Sequence, residues 1–367
     1  MSEQLILRSL LGSRIDEAEW LVSPPASGWR TGPAALRRRE LVRLRSRSMP
    51  DRERVNWAAP PGRRPRYPAL RQSLLGGNIW VVLPPAAPIG VMRSTTGFVP
   101  TDEVRIGSGG GIRQLGIWRG RPVLARLGVE GTPGDPARHF QALQLLRLDE
   151  VPDGLGSGDI DGVRWTIEAF HEGRSLDRLA PTETSQVPAF LARLPRANGP
   201  ISVVDLATRD LSAVSVDVGE LAGSIRKGLE GLPAVVAHGD LWAGNLLFKH
   251  GQLVGVIDWD SWQEQAVPGT DLLHMWAENA RRHRGISYGD LVDEAFWSNG
   301  QLEELVRAHL EQLGTPWNPA LQPLLGAAWW LAAVSGALRR TPALVENPIW
   351  MKRNVRSPAT TLTQLFR

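Results

Sequence analysis

The run from Val235 to Trp276, VVAHGDLWAGNLLFKHGQLVGVIDWDSWQEQAVPGTDLLHMW, constrains the fold of this chain more than any other stretch. An apolar run ends at His238, Gly239 and Asp240, and two short strands, LLF and LVGVIDW, follow, joined by a tight turn at Lys249 to Gln252. A hairpin of that kind sets what precedes its first strand beside what ends its second. Asn245, just before LLF, is therefore expected to meet Asp258, thirteen positions later at the end of VGVID.

Asp240, Asn245 and Asp258 carry the oxygens that phosphoryl transfer asks of a protein. The reaction needs a carboxylate to accept the proton of an attacking hydroxyl, and one or two hard oxygen ligands for magnesium, with nucleotide phosphates completing the metal's shell. Asp, then Asn five residues on, then Asp after a hairpin is the order found in protein kinases, here with His-Gly-Asp for His-Arg-Asp and Ile-Asp-Trp for Asp-Phe-Gly. With those variations the segment resembles the aminoglycoside phosphotransferase and choline kinase-like family, whose pattern is HGDLxxxN, a strand ending in IDW, and a Pro-Gly turn with Asp-Leu. The resemblance implies Asp240 as catalytic base, Asn245 and Asp258 as Mg2+ ligands, and Asp271 as the last element of the pattern. His238 is read as orienting the loop through hydrogen bonds, and Asp271 as the N-cap of the helix DLLHMWAENARRH; neither is counted as catalytic.

Upstream, VRIGSGGGIRQLGIWRGRPVLARLG, from Val104, reads as strand, glycine loop, strand. Ala137 to Leu148 has helical apolar spacing, and Arg164 to Phe170 reads as a strand, at an edge that leaves backbone open to a ligand. The resemblance implies that Gly107, Ser108, Gly109, Gly110 and Gly111 cover the nucleotide phosphates and that Glu168 to Phe170 form the hinge for a purine. It also implies a phosphate-binding lysine and a glutamate on the next helix. Neither stands there: Arg126 occupies the strand, with Arg121 flanking, the three lysines all lie at or beyond Lys227, and no glutamate occurs between Gly131 and Asp149. Two readings stay open. Arg126 takes the lysine's role in an active kinase, its guanidinium fork gripping phosphate, or the nucleotide site has decayed and the domain binds a ligand or partner without turnover.

The acceptor is expected to lie against the segment after Asp271. Residues 271 to 320 hold eight acids, among them Glu278, Asp290, Asp293, Glu294, Glu303 and Glu304, against four arginines. That balance suits a cationic amino sugar or amino alcohol, or equally the solvated faces of ordinary helices. The nearby tryptophans are read as core more than as a sugar-stacking surface.

With 367 residues the chain exceeds one minimal core, and the absence of cysteine excludes disulfides, thiolate metal sites and cysteine nucleophiles. Residues 1 to 100 carry a net charge of +9 and the remainder −5. No recognised nucleic-acid module accompanies the arginines, so a nucleic-acid partner is disfavoured. Residues 33 to 47 suit a short amphipathic helix, Pro60 to Pro68 a linker, Ile79 to Leu83 a buried strand and Leu324 to Leu338 a buried helix too short to span a bilayer. No secretory leader is read at the start, and a cytoplasmic protein without a membrane partner is expected. The fold expected is α+β, bilobal and protein-kinase-like. An N-terminal extension covers 1–100, a small antiparallel-sheet nucleotide lobe 101–172 and a helical lobe with the catalytic core 173–367. The reaction expected is phosphoryl transfer from ATP or GTP to a hydroxyl of a small molecule.

Overall fold

The computed structural model describes residues 19–23, 40–45, 78–83, 88–101, 104–106, 111–197 and 199–367. Two compact units emerge from its contacts: Met1–Phe140 with Asp153–Phe170, and Gln141–Pro152 with His171–Arg367.

The first unit is a mainly antiparallel sheet. Its strands are β1 (Glu19–Ser23), β2 (Glu40–Arg45), β3 (Asn78–Leu83), β4 (Val99–Pro100), β5 (Val104–Ile106), β6 (Ile112–Trp118), β7 (Arg121–Val129), β8 (Gly154–Ile160) and β9 (Val163–Ala169). They run in the order β1-β3-β2-β5-β6-β7-β9-β8, with β4 beside β6 and β2 parallel to β5. Alternation sets the inner face: Ile112, Val123, Ala125, Leu127, Val163 and Ile167 are buried, together with Ile89, Met92 and Phe98 from helix α1 (Pro88–Thr96) and the turn after it. Two expectations are corrected here. Residues 40–45 form a strand where a helix was expected, because β3 and β5 supply pairing partners distant in sequence. Strand β9 is interior, hydrogen-bonded to β7 on one side and β8 on the other, so it offers no open edge. The remainder of the expected helix and the Pro60–Pro68 linker lie outside the described residues.

Helix α2 (Ala137–Leu145) joins the units along the chain. In the second unit, strands β10 (Arg174–Ser175), β12 (Leu246–Lys249) and β13 (Gln252–Val256) form one sheet, and β11 (Val235–Ala237) pairs with β14 (Gln263–Ala266). Its larger helices include α3 (Val203–Ala213), α4 (Gly219–Gly228), α5 (Thr270–Arg284), α6 (Tyr288–Asp293), α7 (Gly300–Gln312), α8 (Leu321–Arg340) and α9 (Ser357–Leu365). Helix α8 is the axis of the core. Its Trp329, Trp330, Leu331 and Val334 are nearly inaccessible, and it packs on both α3 and α5. The Trp330 indole donates to the Asn354 carbonyl at 3.0 Å, and Tyr288 and Phe296 meet the Trp329 ring edge-on. Among the described residues α8 is the one helix long and apolar enough to cross a membrane, which corrects the expectation that it is too short to span a bilayer, and it is largely buried inside the second unit, as expected of a core helix. The α+β class is as expected: a largely antiparallel sheet in one unit, helices with short strands in the other.

Candidate active site

Strand β11 delivers His238, Gly239 and Asp240 to the end of the short β11–β14 ladder. The Asp271 carboxylate secures the turn by accepting from the backbone N–H groups of His238 (2.7 Å) and Gly239 (2.9 Å). This corrects the expected N-cap. Gly269 caps α5, and Asp271 lies inside its first turn with the carboxylate reaching back to the loop. Gly239 has φ +76°, and a Cβ there would stand 2.1 Å from the Ser261 carbonyl oxygen, so only glycine fits. His238 is fully buried. Its Nδ1 accepts from the Asp240 N–H at 3.3 Å while Nε2 donates to the Ile257 carbonyl at 2.9 Å, tying the Asp240 loop to the strand that leads into Asp258.

The hairpin does what its sequence anticipates. His250 and Gly251, both at positive φ, make the two-residue turn between β12 and β13, and Leu246 lies opposite Val256. The Ile257 N–H then donates to the Asn245 carbonyl at 2.9 Å, which places Asn245 and Asp258 side by side across the strand ends. Asn245, nearly inaccessible, donates its Nδ2 to the Asp240 carbonyl at 2.9 Å, leaving its amide oxygen as the remaining acceptor. Asp258 sits in left-handed backbone, φ +71°, a strained conformation for a residue other than glycine. An amide oxygen and one carboxylate are hard donors of the kind magnesium takes when phosphates complete its shell, so the pair fits that metal. Among the described residues no cluster of three or more His, Cys, Asp or Glu side chains forms an all-protein metal cage.

Two residues beyond the expected set converge on Asp240. His274, from α5, donates through Nε2 to Asp240 Oδ1 at 3.2 Å, and Arg340, the last residue of α8, places Nη2 4.0 Å from the same oxygen. Burial works to raise the Asp240 pKa, but the His274 hydrogen bond and charge, then Arg340 and His238, outweigh it and bring the carboxyl below its ordinary value. Asp240 is thus held as the carboxylate, the form a base requires. His274 falls three residues after Asp271 on the first turns of a helix, a spacing that carried the only sequence signal for it. Arg340 is a hundred positions from Asp240 and left none.

The first unit holds a polar centre of its own. Arg126 on β7 is opposite Thr166 on β9, and Leu124 is opposite Glu168, so Arg126 and Glu168 are diagonal neighbours on one face of the sheet. Their side chains pair, Nε to Oε1, at 3.3 Å, with 5% and 3% of each exposed. His139, wholly buried on α2, hydrogen-bonds the other Glu168 oxygen. Burial raises the Glu168 pKa, but Arg126 and then His139 overcome it and hold the carboxyl down at about 2. The expected lysine–glutamate pair is therefore replaced by an arginine–glutamate pair whose carboxylate comes from the neighbouring strand, and the helix supplies a histidine. Glu168, expected to belong to the hinge, is buried as this ion-pair partner, while Phe170 is 44% exposed just beyond the strand. The backbone N–H groups of Ala169 and Phe170 donate to Asp153 and Pro122. Gly107, Ser108, Gly109 and Gly110 lie outside the described residues. Gly111 is described, and a Cβ on it would stand 2.6 Å from the Gly134 carbonyl, a close backbone approach that demands glycine. Arg121 is exposed at the start of β7.

The acids after Asp271 are mostly engaged. Glu278 pairs with Arg281 and accepts from the Tyr288 hydroxyl at 3.3 Å, with Arg282 at 3.7 Å. Asp290 pairs with Arg353, Glu294 with Arg284, and Glu303 accepts from Gln322.

The sequence profile described as the phosphotransferase enzyme family matches residues 118–309. Among solved structures, the chain is similar to a thermostable mutant of the aminoglycoside phosphotransferase APH(4)-Ia. The two are 13% identical, with 75% of this chain and 98% of that one covered and a TM-score of 0.45. It is also similar to the aminoglycoside phosphotransferase APH(3'')-Id from Streptomyces rimosus, at 15% identity, 66% and 97% coverage and a TM-score of 0.42. No curated protein sequence matches the chain.

Proposed function

The chain belongs to the phosphotransferase enzyme family, and we propose that it transfers the γ-phosphoryl group of ATP or GTP to a hydroxyl of a small molecule. The observation that carries this reading is the hydrogen-bonded knot that ties Asp240, Asn245 and Ile257, the residue before Asp258, together through the Asp240 and Asn245 carbonyls. In the reaction the acceptor oxygen bonds to the γ-phosphorus, the bond from that phosphorus to the bridging oxygen breaks, and the nucleoside diphosphate leaves. Asp240 takes the hydroxyl proton and orients the attacking oxygen. Asn245 and Asp258 would hold magnesium, which when bound offsets the negative charge of the phosphates. Arg126, fixed by Glu168, and the glycine run ending at Gly111 are the proposed nucleotide contacts.

The buried Arg126–Glu168 pair favours activity over decay. It keeps a permanently charged phosphate-binding group in a satisfied, fixed position on the strand. Asp240→Ala tests the assignment. Nucleotide affinity should stay within about twofold of wild type while ADP formation falls by about two to four orders of magnitude, the span assigned to a lost general base. Equal ADP formation by variant and wild type removes Asp240 from the mechanism.

A further inference from the structure

One face of α5 looks toward the proposed base. His274, Glu278, Arg281 and Arg282 stand at i, i+4, i+7 and i+8, successive positions on a single helical stripe. His274 reaches Asp240, and Arg282 stacks its guanidinium 3.5 Å from the centre of the Trp242 ring, two residues beyond that base. Arg281 lies over the Tyr288 ring at 3.9 Å, and the Tyr288 phenol, buried and facing Glu278, is pushed to a higher pKa.

Arginines outnumber the carboxylates they contact here. Two carboxylates, Asp240 and Glu278, meet three guanidinium groups, Arg281, Arg282 and Arg340. Glu278 is 7% exposed and already engaged by Arg281, Arg282 and Tyr288. An ammonium group on the acceptor would have to displace those donors, losing charge-assisted bonds in a partly desolvated place. Arg340 differs. Its side chain is 36% exposed, its nearest partner is the neutral Ser261 hydroxyl at 3.3 Å, and its carboxylate contact, to Asp240, is long at 4.0 Å. It therefore presents charged donors beside the base, and Arg282 presents a second cation across Trp242.

We infer that the acceptor carries an anionic oxygen group, a carboxylate or a phosphate, near the hydroxyl that is phosphorylated, and that Arg340 and Arg282 bind it. This rests on the kinase reading above and names the substrate class of the same site. It sets aside the polycationic amino sugar that the acid count of residues 271 to 320 also suits, because Glu278, Asp290, Glu294 and Glu303 are engaged by arginines and neutral donors of the fold.

The test compares gluconate, glucose 6-phosphate, glucose and glucosamine as acceptors at saturating magnesium ATP. Wild type is set against Arg340→Met, Arg282→Gln and, as a control outside the site, Arg284→Gln. The expected result is a kcat/KM for gluconate or glucose 6-phosphate at least about tenfold above glucose, the scale of one lost charged hydrogen bond, with glucosamine no better than glucose. Whichever anion leads identifies the group. Its advantage should vanish in Arg340→Met and shrink in Arg282→Gln through KM, and persist in Arg284→Gln. A preference for glucosamine overturns the inference. So does an equal loss with charged and neutral acceptors in Arg340→Met, which would assign that arginine to the transferred phosphoryl group. If none of the four is phosphorylated, calorimetry of gluconate and glucose 6-phosphate into magnesium ADP-loaded protein decides. Binding weakened by Arg340→Met supports the inference, and no binding overturns it while leaving the kinase reading intact. Failure of magnesium ADP itself to bind is the distinct failure of the kinase reading.

Discussion

Asp240 owes its ionised state to neighbours from three places in the chain: His238 beside it, His274 on α5 and Arg340 at the end of α8. Burial alone would move its carboxyl the other way. Removing His274, the largest opposing influence, leaves burial less opposed, so the pKa rises. A base works only as the carboxylate, and turnover is lost as pH falls through that pKa. In His274→Ala the acid limb of the kcat profile should therefore lie at higher pH than in wild type, and His274→Asn, which keeps a donor, should recover part of the difference. Coincident acid limbs in all three proteins would contradict the role given to His274. The residues of the proposed chemistry were legible in the sequence because a two-residue turn leaves little freedom in where Asn245 and Asp258 end. His274 and Arg340 were hidden because nothing local announces which distant helix face meets Asp240. Asp271 was placed at the start of the right helix and given the wrong partners. A carboxylate in the first helical turn can bond that turn's own N–H groups or reach outward, and only the positions of His238 and Gly239 decide.

Strands β7 and β9 and helix α2 meet at Glu168, and the pairing there explains why the expected glutamate was sought in the wrong element. A search along the helix finds only His139, whereas the register of two antiparallel strands sets Glu168 diagonally from Arg126. Strand β2 was misread for a related reason: its partners begin more than thirty residues away, and in so short a stretch Leu41 and Leu44 fit the helical period while Val42 and Leu44 fit that of a strand. The Glu168 junction also has an energetic signature. Its carboxyl is lowered from 4.5 to about 2, so its contribution is fully present above the unfolded value and is lost as pH falls from 4.5 through about 2. Glu168→Gln leaves the Arg126 guanidinium buried without its carboxylate, and the expected cost is about 3–5 kcal/mol. Urea unfolding at neutral pH measures that loss. Repeated down to pH 3, it should show the gap between wild type and variant narrowing; a gap independent of pH would mean that Glu168 is not the titrating group.

At the scale of the whole chain, the proposed catalytic pattern of a phosphotransferase-family chain is combined with two departures from expectation, an arginine where a lysine was expected and an arginine-rich face beside the proposed base. The catalytic pattern was readable because it is local, within residues 238 to 271. The charge balance around it was not, since acids counted along residues 271 to 320 say nothing of the arginines that engage them, and Arg340 and Arg353 lie outside that window. The strongly basic first hundred residues fall largely outside the described part of the chain. The central claim, that Asn245 and Asp258 form a working magnesium and nucleotide site despite Arg126, is tested most directly by calorimetry. ATP and GTP are titrated with and without magnesium into wild type and Asp258→Ala. The account predicts binding of at least one nucleotide that requires magnesium and is weakened by about tenfold or more in the variant, as for loss of a charged ligand. Binding that ignores magnesium, or that Asp258→Ala leaves unchanged, would contradict it.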